Sequence, residues 1–380
     1  MRIENSLSIL QLIVLIAWIT TLIRTILNLV LIPRLEEGAE TRGPLVSVII
    51  PARNEAGSIE RTVRAFLAQT WESLEIIVVD DRSSDATGSI LHSIAAEDSR
   101  LHVINGVEPP DGWLGKPWAL HQGEGVARGE LLLFVDADIV YEPHAVAAAV
   151  AQLRTAGSSM VTLFPRLVME TFWEKLAMPY LAVVAYSILP TWLANRTRIP
   201  ILGVGGGTGN LVRRDHYDAV GGHAALREAV IDDVATARLL RRNGYRTTVV
   251  RASSLASVRM YEGRRAIVEG FTKNIFAVFH RSYFLTITLG ILGLVFHVMP
   301  YGWAAAGELL SVVTVVLITV TRLILFAALR YPLHYAVWAH PFMILFWTWL
   351  WMRSMWITGV RRQLAWRGRT YDADRTHFGA

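Results

Sequence analysis

Cysteine is absent from the 380 residues, which excludes disulfides, thiolate metal sites and a cysteine nucleophile. Lysine is scarce, with Lys116, Lys175 and Lys273 set against 34 arginines. Charged residues make up only 18% of the chain, too few for an ordinary soluble enzyme, and a hydrophobic content of 53% excludes intrinsic disorder. The net charge of +5 flanks apolar runs and forms no basic patch interleaved with aromatics, so nucleic acid is not an expected partner. Familiar site signatures are missing too. There is no Gly-x-x-x-x-Gly-Lys-Ser/Thr loop, no His-Glu-x-x-His, no Gly-x-Ser-x-Gly, and no pair at metal-ligand spacing among the 11 histidines. The glycine cluster Gly203–Gly209 departs from the dinucleotide fingerprint; it reads as a close backbone approach to a bulky ligand, or as a flexible loop.

What the chain does have is long apolar runs and 13 tryptophans. A hydrocarbon core of about 30 Å needs about 20 helical residues, and Leu7–Ile32 suffices. That run is too long for a signal-peptide core and no small-residue cleavage site follows it, so residues 1–34 are expected to be a retained transmembrane anchor. Pro33, Glu36, Glu37 and Gly38 form a linker. Three further runs, Tyr283–Met299, Tyr301–Leu329 and Tyr335–Val360, make residues 283–360 a C-terminal transmembrane region. Four crossings would put both termini opposite the soluble part. Yet the soluble flanks (Arg34, Arg264, Arg265, Arg281) and the tail 361–380 (Arg361, Arg362, Arg367, Arg369) are both basic. The positive-inside rule wants both in the cytoplasm, so one C-terminal run is expected to be re-entrant or interfacial. The expected location is a multi-pass cell-membrane protein with its soluble domain on the cytoplasmic side.

Residues 45–275 alternate strand and helix signals. Strands are expected at Val46–Ile50, Glu75–Asp80, Leu101–Ile104, Leu131–Asp136, Met160–Phe164 and Thr247–Val250. The second and fourth are near-continuous apolar runs, as in parallel strands buried on both faces. Ile59, Val63, Phe66 and Leu67 follow helical spacing after Ser58, and a later helix opens at Pro143. This order predicts an α/β fold with a mostly parallel sheet, its ligand crevice beyond the C-terminal ends of the strands. Phe172–Leu193 is apolar but holds Glu174, Lys175, Pro179 and Pro190, and is expected to be a helix at the membrane interface (about 172–193).

Candidate site residues follow from the strand ends. Asp136 and Asp138 project together beyond the fourth strand; such a pair is costly unless a cation lies between them. Mg²⁺ or Mn²⁺, shared with substrate phosphates, is the natural partner. Asp80 and Asp81 end the second strand and can accept hydrogen bonds from a base or ribose. Pro51-Ala52-Arg53-Asn54-Glu55 follows the first. Asp232 and Asp233 open the helical pattern closed by Gly244; they suit the helix dipole, and a carboxylate spare after metal and nucleotide are served can act as a general base.

Taken together, Val46–Glu55, Val78–Asp85, Asp136-Ala137-Asp138 and Asp232-Asp233 resemble the family 2 inverting glycosyltransferases of GT-A fold. Further stretches resemble its hopanoid-associated and carotenoid (diaponeurosporenoate-type) branch: Gly112–Ala119, Arg259-Met260-Tyr261, Gly270–Asn274 and Trp366–Tyr371. The resemblance implies that Pro51, Arg53, Glu55, Asp80 and Asp81 hold the nucleoside of a nucleoside-diphosphate sugar. It implies that Asp136 and Asp138 hold the metal and diphosphate, and that Asp233, beside Asp232, is the catalytic base. Lys116, between two tryptophans, would touch the diphosphate; the plainer alternative is a lysine snorkelling at the interface. The family usually shows Glu-Asp where this chain has Asp232-Asp233, and the Gln-x-x-Arg-Trp of processive synthases is missing, Arg259-Met260-Tyr261 standing in that region. The expected function is metal-dependent transfer of a single sugar to a membrane lipid such as a carotenoid or hopanoid. The alternatives are a polyprenyl-phosphate sugar synthase, a processive polysaccharide synthase, or a non-catalytic nucleotide-binding membrane subunit.

Overall fold

The computed structural model describes residues 2–37, 40–361, 363–366 and 369–372. Most of the basic tail 361–380, with Arg362 and Arg367, lies outside the described residues. Helix α1 (Arg2–Leu31) leads into β1 (Val46–Ala52), α2 (Ile59–Leu67), β2 (Leu74–Asp80), α3 (Thr87–Glu97), β3 (Leu101–Asn105), α4 (Gly115–Val126) and β4 (Leu131–Phe134). Then come β5 (Ile139–Tyr141), α5 (Ala145–Thr155), β6 (Met160–Phe164), β7 (Arg166–Leu167), α6 (Phe172–Ala177), α7 (Pro179–Val183) and α8 (Thr191–Ala194). The domain closes with β8 (Asn210–Arg213), α9 (Arg214–Ala219), α10 (Asp232–Arg242), β9 (Thr247–Arg251), β10 (Ala256–Val258) and α11 (Gly263–Val278).

Seven strands form one sheet in the order β3-β2-β1-β4-β8-β6-β9. All run parallel except β8, which pairs antiparallel with β4 and β6. Strand β8 escaped the sequence reading because Asn210-Leu211-Val212-Arg213 is short, and no periodicity sets it apart from the preceding glycines. Side chains alternate along β1: Val46, Val48 and Ile50 join Val63, Phe66 and Leu91 in one core layer. Ile49 points the other way, to Leu120, Leu132, Phe134, Ala237 and Leu240. This period of two, with helices on both faces, is why the strands read as unbroken apolar runs.

The strand order reverses between β1 and β4, so the crevice opens there. Register makes the strand ends coincide. Ala52 stands opposite Asp80 and Ile49 opposite Phe134, which puts Asp136 level with Pro51. A small second sheet, β5-β10-β7, caps this end.

The anchor is tied to the sheet by its linker. Leu35 N–H donates to the Arg251 carbonyl at 2.8 Å, and Arg251 N–H to the Pro33 carbonyl at 2.8 Å. The polar interruptions of α1 serve the stretch expected to be an interfacial helix. Asn28 Nδ2 donates to the carbonyls of Tyr186 (2.8 Å) and Leu189 (2.9 Å), its Oδ1 accepts from Trp192 N–H (2.8 Å), and Thr25 donates to Ser187 at 2.9 Å. That stretch is not one helix. Pro179 restarts it as α7, the backbone widens into a π turn at Val184–Ile188, and Pro190 ends it. Much of it is buried against other helices: Tyr180 stacks on Trp347 at 4.4 Å.

The C-terminal region contains α12 (Tyr283–His297), α13 (Met299–Ala305), α14 (Leu309–Leu329), α15 (Leu333–Trp338) and α16 (His340–Ser354). Among the described residues, three helical segments are long and apolar enough to cross a membrane: Leu7–Leu31, Tyr283–Ala305 and Leu309–Leu329. The boundary before Tyr301 is a one-residue interruption at Val298, between α12 and α13, and Pro300 sits in the first turn of α13, where proline is tolerated. The chain reverses instead at Gly307, whose φ of 89° suits glycine. The run Tyr335–Val360 is divided at Ala339 between α15 and α16, and α16 packs on α6, α11 and α12.

Candidate active site

The loops after β1 and β2 are interlaced. Asn54 and Arg82 both adopt positive φ (54° and 56°). Asn54 N–H donates to Ser83 Oγ (3.0 Å), Ser84 N–H to Asn54 Oδ1 (2.8 Å), and Glu55 N–H to Thr87 Oγ1 (2.8 Å). Arg53 donates to the carbonyls of Asp81 (2.6 Å) and Arg82 (3.3 Å), so its guanidinium holds the second loop closed. Asp81 is buried, with Arg82 Nε 3.8 Å from its carboxylate. Asp80 accepts from Ser83 N–H at 3.0 Å, a local turn bond. The Glu55 carboxylate accepts from Ser58 at 3.1 Å.

A second group lies at the ends of β4 and β8 and the start of α10. Lys116, on the first turn of α4, is turned inward: its Nζ is 2.8 Å from Asp136 Oδ1, 3.2 Å from Asp232 Oδ1 and 3.6 Å from Asp233 Oδ2. Lys116 thus supplies a positive charge to Asp136, Asp232 and Asp233. Asn210 Nδ2 donates to Asp233 Oδ1 at 3.4 Å. Asp138 lies half-buried in the turn between β4 and β5.

The glycine cluster packs closely against the site's own residues. Asp136 N–H donates to the Gly207 carbonyl at 2.7 Å. A Cβ on Gly207 would collide with the Asp136 carboxylate, one on Gly205 with the Asp233 backbone, and one on Gly209 with the Tyr141 hydroxyl. Its small residues let β8 enter between the site's own carboxylates.

Behind this group runs a buried network that sequence reasoning missed. His223 Nε2 is 3.9 Å from Asp232 Oδ2, and its Nδ1 is 3.3 Å from Glu124 Oε2. The Tyr217 hydroxyl contacts both Glu124 and His223, and His121 Nδ1 is 2.6 Å from Glu124 Oε1. A lone histidine with no metal-ligand spacing carries no signal; only Gly221-Gly222, both at positive φ, mark the tight turn that delivers it.

Proton affinities within the group diverge. Burial pushes the Asp233 carboxyl up to about 7, reinforced by neighbouring Asp232 and opposed by Lys116. Burial would raise Asp232 as well, but Lys116 and His223 outweigh it and hold its carboxyl below the usual range. Burial opposes charge on His223, yet Asp232 and Glu124 raise its proton affinity. Two adjacent carboxylates thus differ in proton affinity because their surroundings differ.

An open, mostly parallel sheet with carboxylates gathered at its switch point defines the GT-A glycosyltransferase fold. Residues 47–221 match the model of Glycosyl transferase family 2. It is similar to 4,4'-diaponeurosporenoate glycosyltransferase of Staphylococcus aureus strain MRSA252, 28% identical over 236 residues, covering 60% of each chain. The enzyme of the same name from strain USA300 matches over the same span at the same identity. The chain spans about 60% of the length of these curated relatives. Among solved structures, a mannosyltransferase from Pyrobaculum calidifontis in complex with GDP-Man and Mn²⁺ shares the fold, with a TM-score of 0.55, 20% identity, and coverage of 92% of this chain and 99% of that one.

Proposed function

We propose that the protein transfers one sugar from a nucleoside-diphosphate sugar to a membrane lipid, with inversion at the anomeric carbon. The observation that carries this reading is the Asp136–Lys116–Asp232–Asp233 group at the switch point of a family 2 domain. The acceptor oxygen attacks the anomeric carbon and its proton passes to Asp233. The bond from that carbon to the diphosphate breaks, and its electron pair leaves with the diphosphate. Asn210 orients the Asp233 carboxylate, and Asp232, held anionic by Lys116 and His223, positions the start of α10. Interlaced loops carrying Pro51, Arg53, Glu55, Asp80 and Asp81 receive the nucleoside.

No group of three or more histidines or carboxylates is placed to hold a metal ion among the described residues, so a divalent cation would rest on Asp136 and Asp138 with the substrate phosphates as further ligands. Asp136 and Asp138 offer carboxylate oxygens, and Mg²⁺ or Mn²⁺ bound by two carboxylates completes its shell with phosphate oxygens and water. When bound, such an ion neutralises charge on the departing diphosphate. The Lys116 ammonium, paired with Asp136, supports a second contact to the same phosphates.

The acceptor class rests on the helices that tether the crevice beside a bilayer and on aromatic residues between bundle and domain. Phe172 stacks on Trp338 with ring centroids 6.3 Å apart, and Trp338 and Phe342 are exposed, as in the aromatic belts of membrane proteins. Three crossings return the chain at Leu329 to the side of the catalytic domain, where the basic flanks assign the cytoplasm.

The test is transfer from labelled nucleotide sugars to extracted lipids by the reconstituted protein. A labelled lipid that is lost in Asp233→Asn supports the reading; an acid-labile product would instead identify a phosphate acceptor. Near-normal turnover by Asp233→Asn would overturn the base assignment for a hydroxyl acceptor.

A further inference from the structure

Arg322 lies in the candidate span Leu309–Leu329 and is 1% exposed. Its Nε donates to His340 Nδ1 at 3.1 Å, but Nη1 and Nη2 have no hydrogen-bond partner. The guanidinium stands over the Trp18 ring, 5.6 Å from its centroid. His340 Nε2 is 3.3 Å from His297 Nδ1, and both imidazoles meet Trp18 edge-on, at 5.6 and 5.1 Å. The Tyr301 hydroxyl is likewise buried without a partner, its ring 6.4 Å from His340. Arginine stays protonated and donates only. Since Arg322 donates to His340 Nδ1, a neutral His340 carries its proton on Nε2 and donates to His297. Donors therefore accumulate here, and no ion pair joins Arg322 to a carboxylate among the described residues. A buried cation in a membrane segment is costly unless an anion compensates it.

We propose that Arg322, His340, His297 and Tyr301 form a site inside the helical bundle for the anionic group of a lipid, a phosphate or a carboxylate. Three features point to a lipid. The cluster is built from three segments long and apolar enough to cross a membrane, with α16 added, so access is sideways from the bilayer. Arg322 lies seven residues before the end of α14, about 10 Å along the helix, a depth that a lipid headgroup reaches by leaning between helices. That end of α14 leads into α15, whose Tyr335 meets Phe172 of the domain with centroids 6.2 Å apart. On the span Tyr283–Ala305 the cluster lies nearer the other end, Tyr301 standing four residues before Ala305, so a lipid of either leaflet can supply the anion. The site is separate from the sugar-transfer crevice and does not depend on the reaction proposed for it.

The experiment uses the full chain, stripped of lipid in a maltoside detergent. Thermal unfolding is followed with phosphatidylglycerol, phosphatidylcholine, oleate or inorganic phosphate added. A ligand that binds only the native state raises the midpoint, so phosphatidylglycerol or oleate is expected to raise it by several degrees, and phosphatidylcholine and inorganic phosphate are not. A response to phosphatidylglycerol alone identifies a bilayer phospholipid as the source, and one to oleate a carboxylate lipid. In Arg322→Gln the gain disappears, and the stripped variant unfolds no earlier than the unaltered protein, because an uncompensated charge has been removed. Should that variant not fold, Tyr301→Phe is expected to need at least tenfold more lipid for half the gain. Asp233→Asn, defective in sugar transfer, keeps the full gain, which separates the two proposals. An equal gain in Arg322→Gln or Tyr301→Phe, an equal gain from phosphatidylcholine or inorganic phosphate, or no gain from either tailed anion overturns the site.

Discussion

Asp232 and Asp233 are adjacent in sequence and differ in what surrounds them. The first is sealed between Lys116 and His223; the second retains an edge on the crevice, with its side chain 13% exposed. A base must be ionised to accept a proton, so kcat/KM is expected to rise with pH through about 7, the value to which Asp233 is pushed. Lys116 lowers that value, so Lys116→Gln should move the acidic limb of the profile to higher pH as well as weakening donor binding. A pH–rate series on both proteins checks this, and an unmoved limb would remove Asp233 from the role. Asp233→Asn should reduce turnover by roughly 10²–10⁴ while titration calorimetry finds donor affinity nearly unchanged. Asp136 was legible as a residue beyond a strand end, whereas Asp232 and Asp233 read only as a helix start and entered the site through the family resemblance. Glu124 and His223 were not legible, because the pair joins positions 99 apart through a fold that no local pattern encodes.

At the scale of elements, two local devices shape the site's surroundings. The loop before β8 can pass between Asp136 and Asp233 only if Gly205 and Gly207 lack side chains. Gly207→Ala should therefore displace the Asp136 carboxylate and cut activity more than tenfold, while circular dichroism shows the sheet intact. The second device is Glu174, which the sequence presented as a charge in an interfacial helix. It is fully buried, forms a capping box with Thr171, and accepts from Gly263 N–H (2.8 Å) and Arg259 (3.2 and 3.3 Å). It thereby joins α6 to the Arg259-Met260-Tyr261 segment ahead of α11. Burial alone would raise this carboxyl; Arg259 and the backbone donors outweigh burial and bring it down to about 2. A depressed carboxyl stabilises the fold at pH values above its unfolded value, about 4.5, and the contribution fades as pH falls toward 2. Glu174→Gln should cost about 2–3 kcal/mol at neutral pH, and the gap in unfolding midpoint should narrow steadily below pH 4.5.

For the molecule as a whole, the question is how many times the chain crosses the bilayer. Three crossings put residue 308 on the opposite side from residues 37 and 361. The absence of native cysteine makes the test direct: Glu37→Cys, Glu308→Cys and Arg361→Cys are labelled in intact vesicles with an impermeant maleimide. Position 308 should react from one side and the other two from the opposite side. Labelling of 361 together with 308 would require a fourth crossing.

Composition and periodicity alone determined that this is an α/β domain accompanied by long apolar helices, and which carboxylates end its strands. Those properties follow from the period of side-chain burial and from the rule that parallel strands end together. Tertiary structure decided which lysine meets the acids, how the last apolar run is divided, and which arginine is left buried without an anion. Each of these depends on contacts between residues far apart in the chain, where burial and charge are set by neighbours that the linear order does not name.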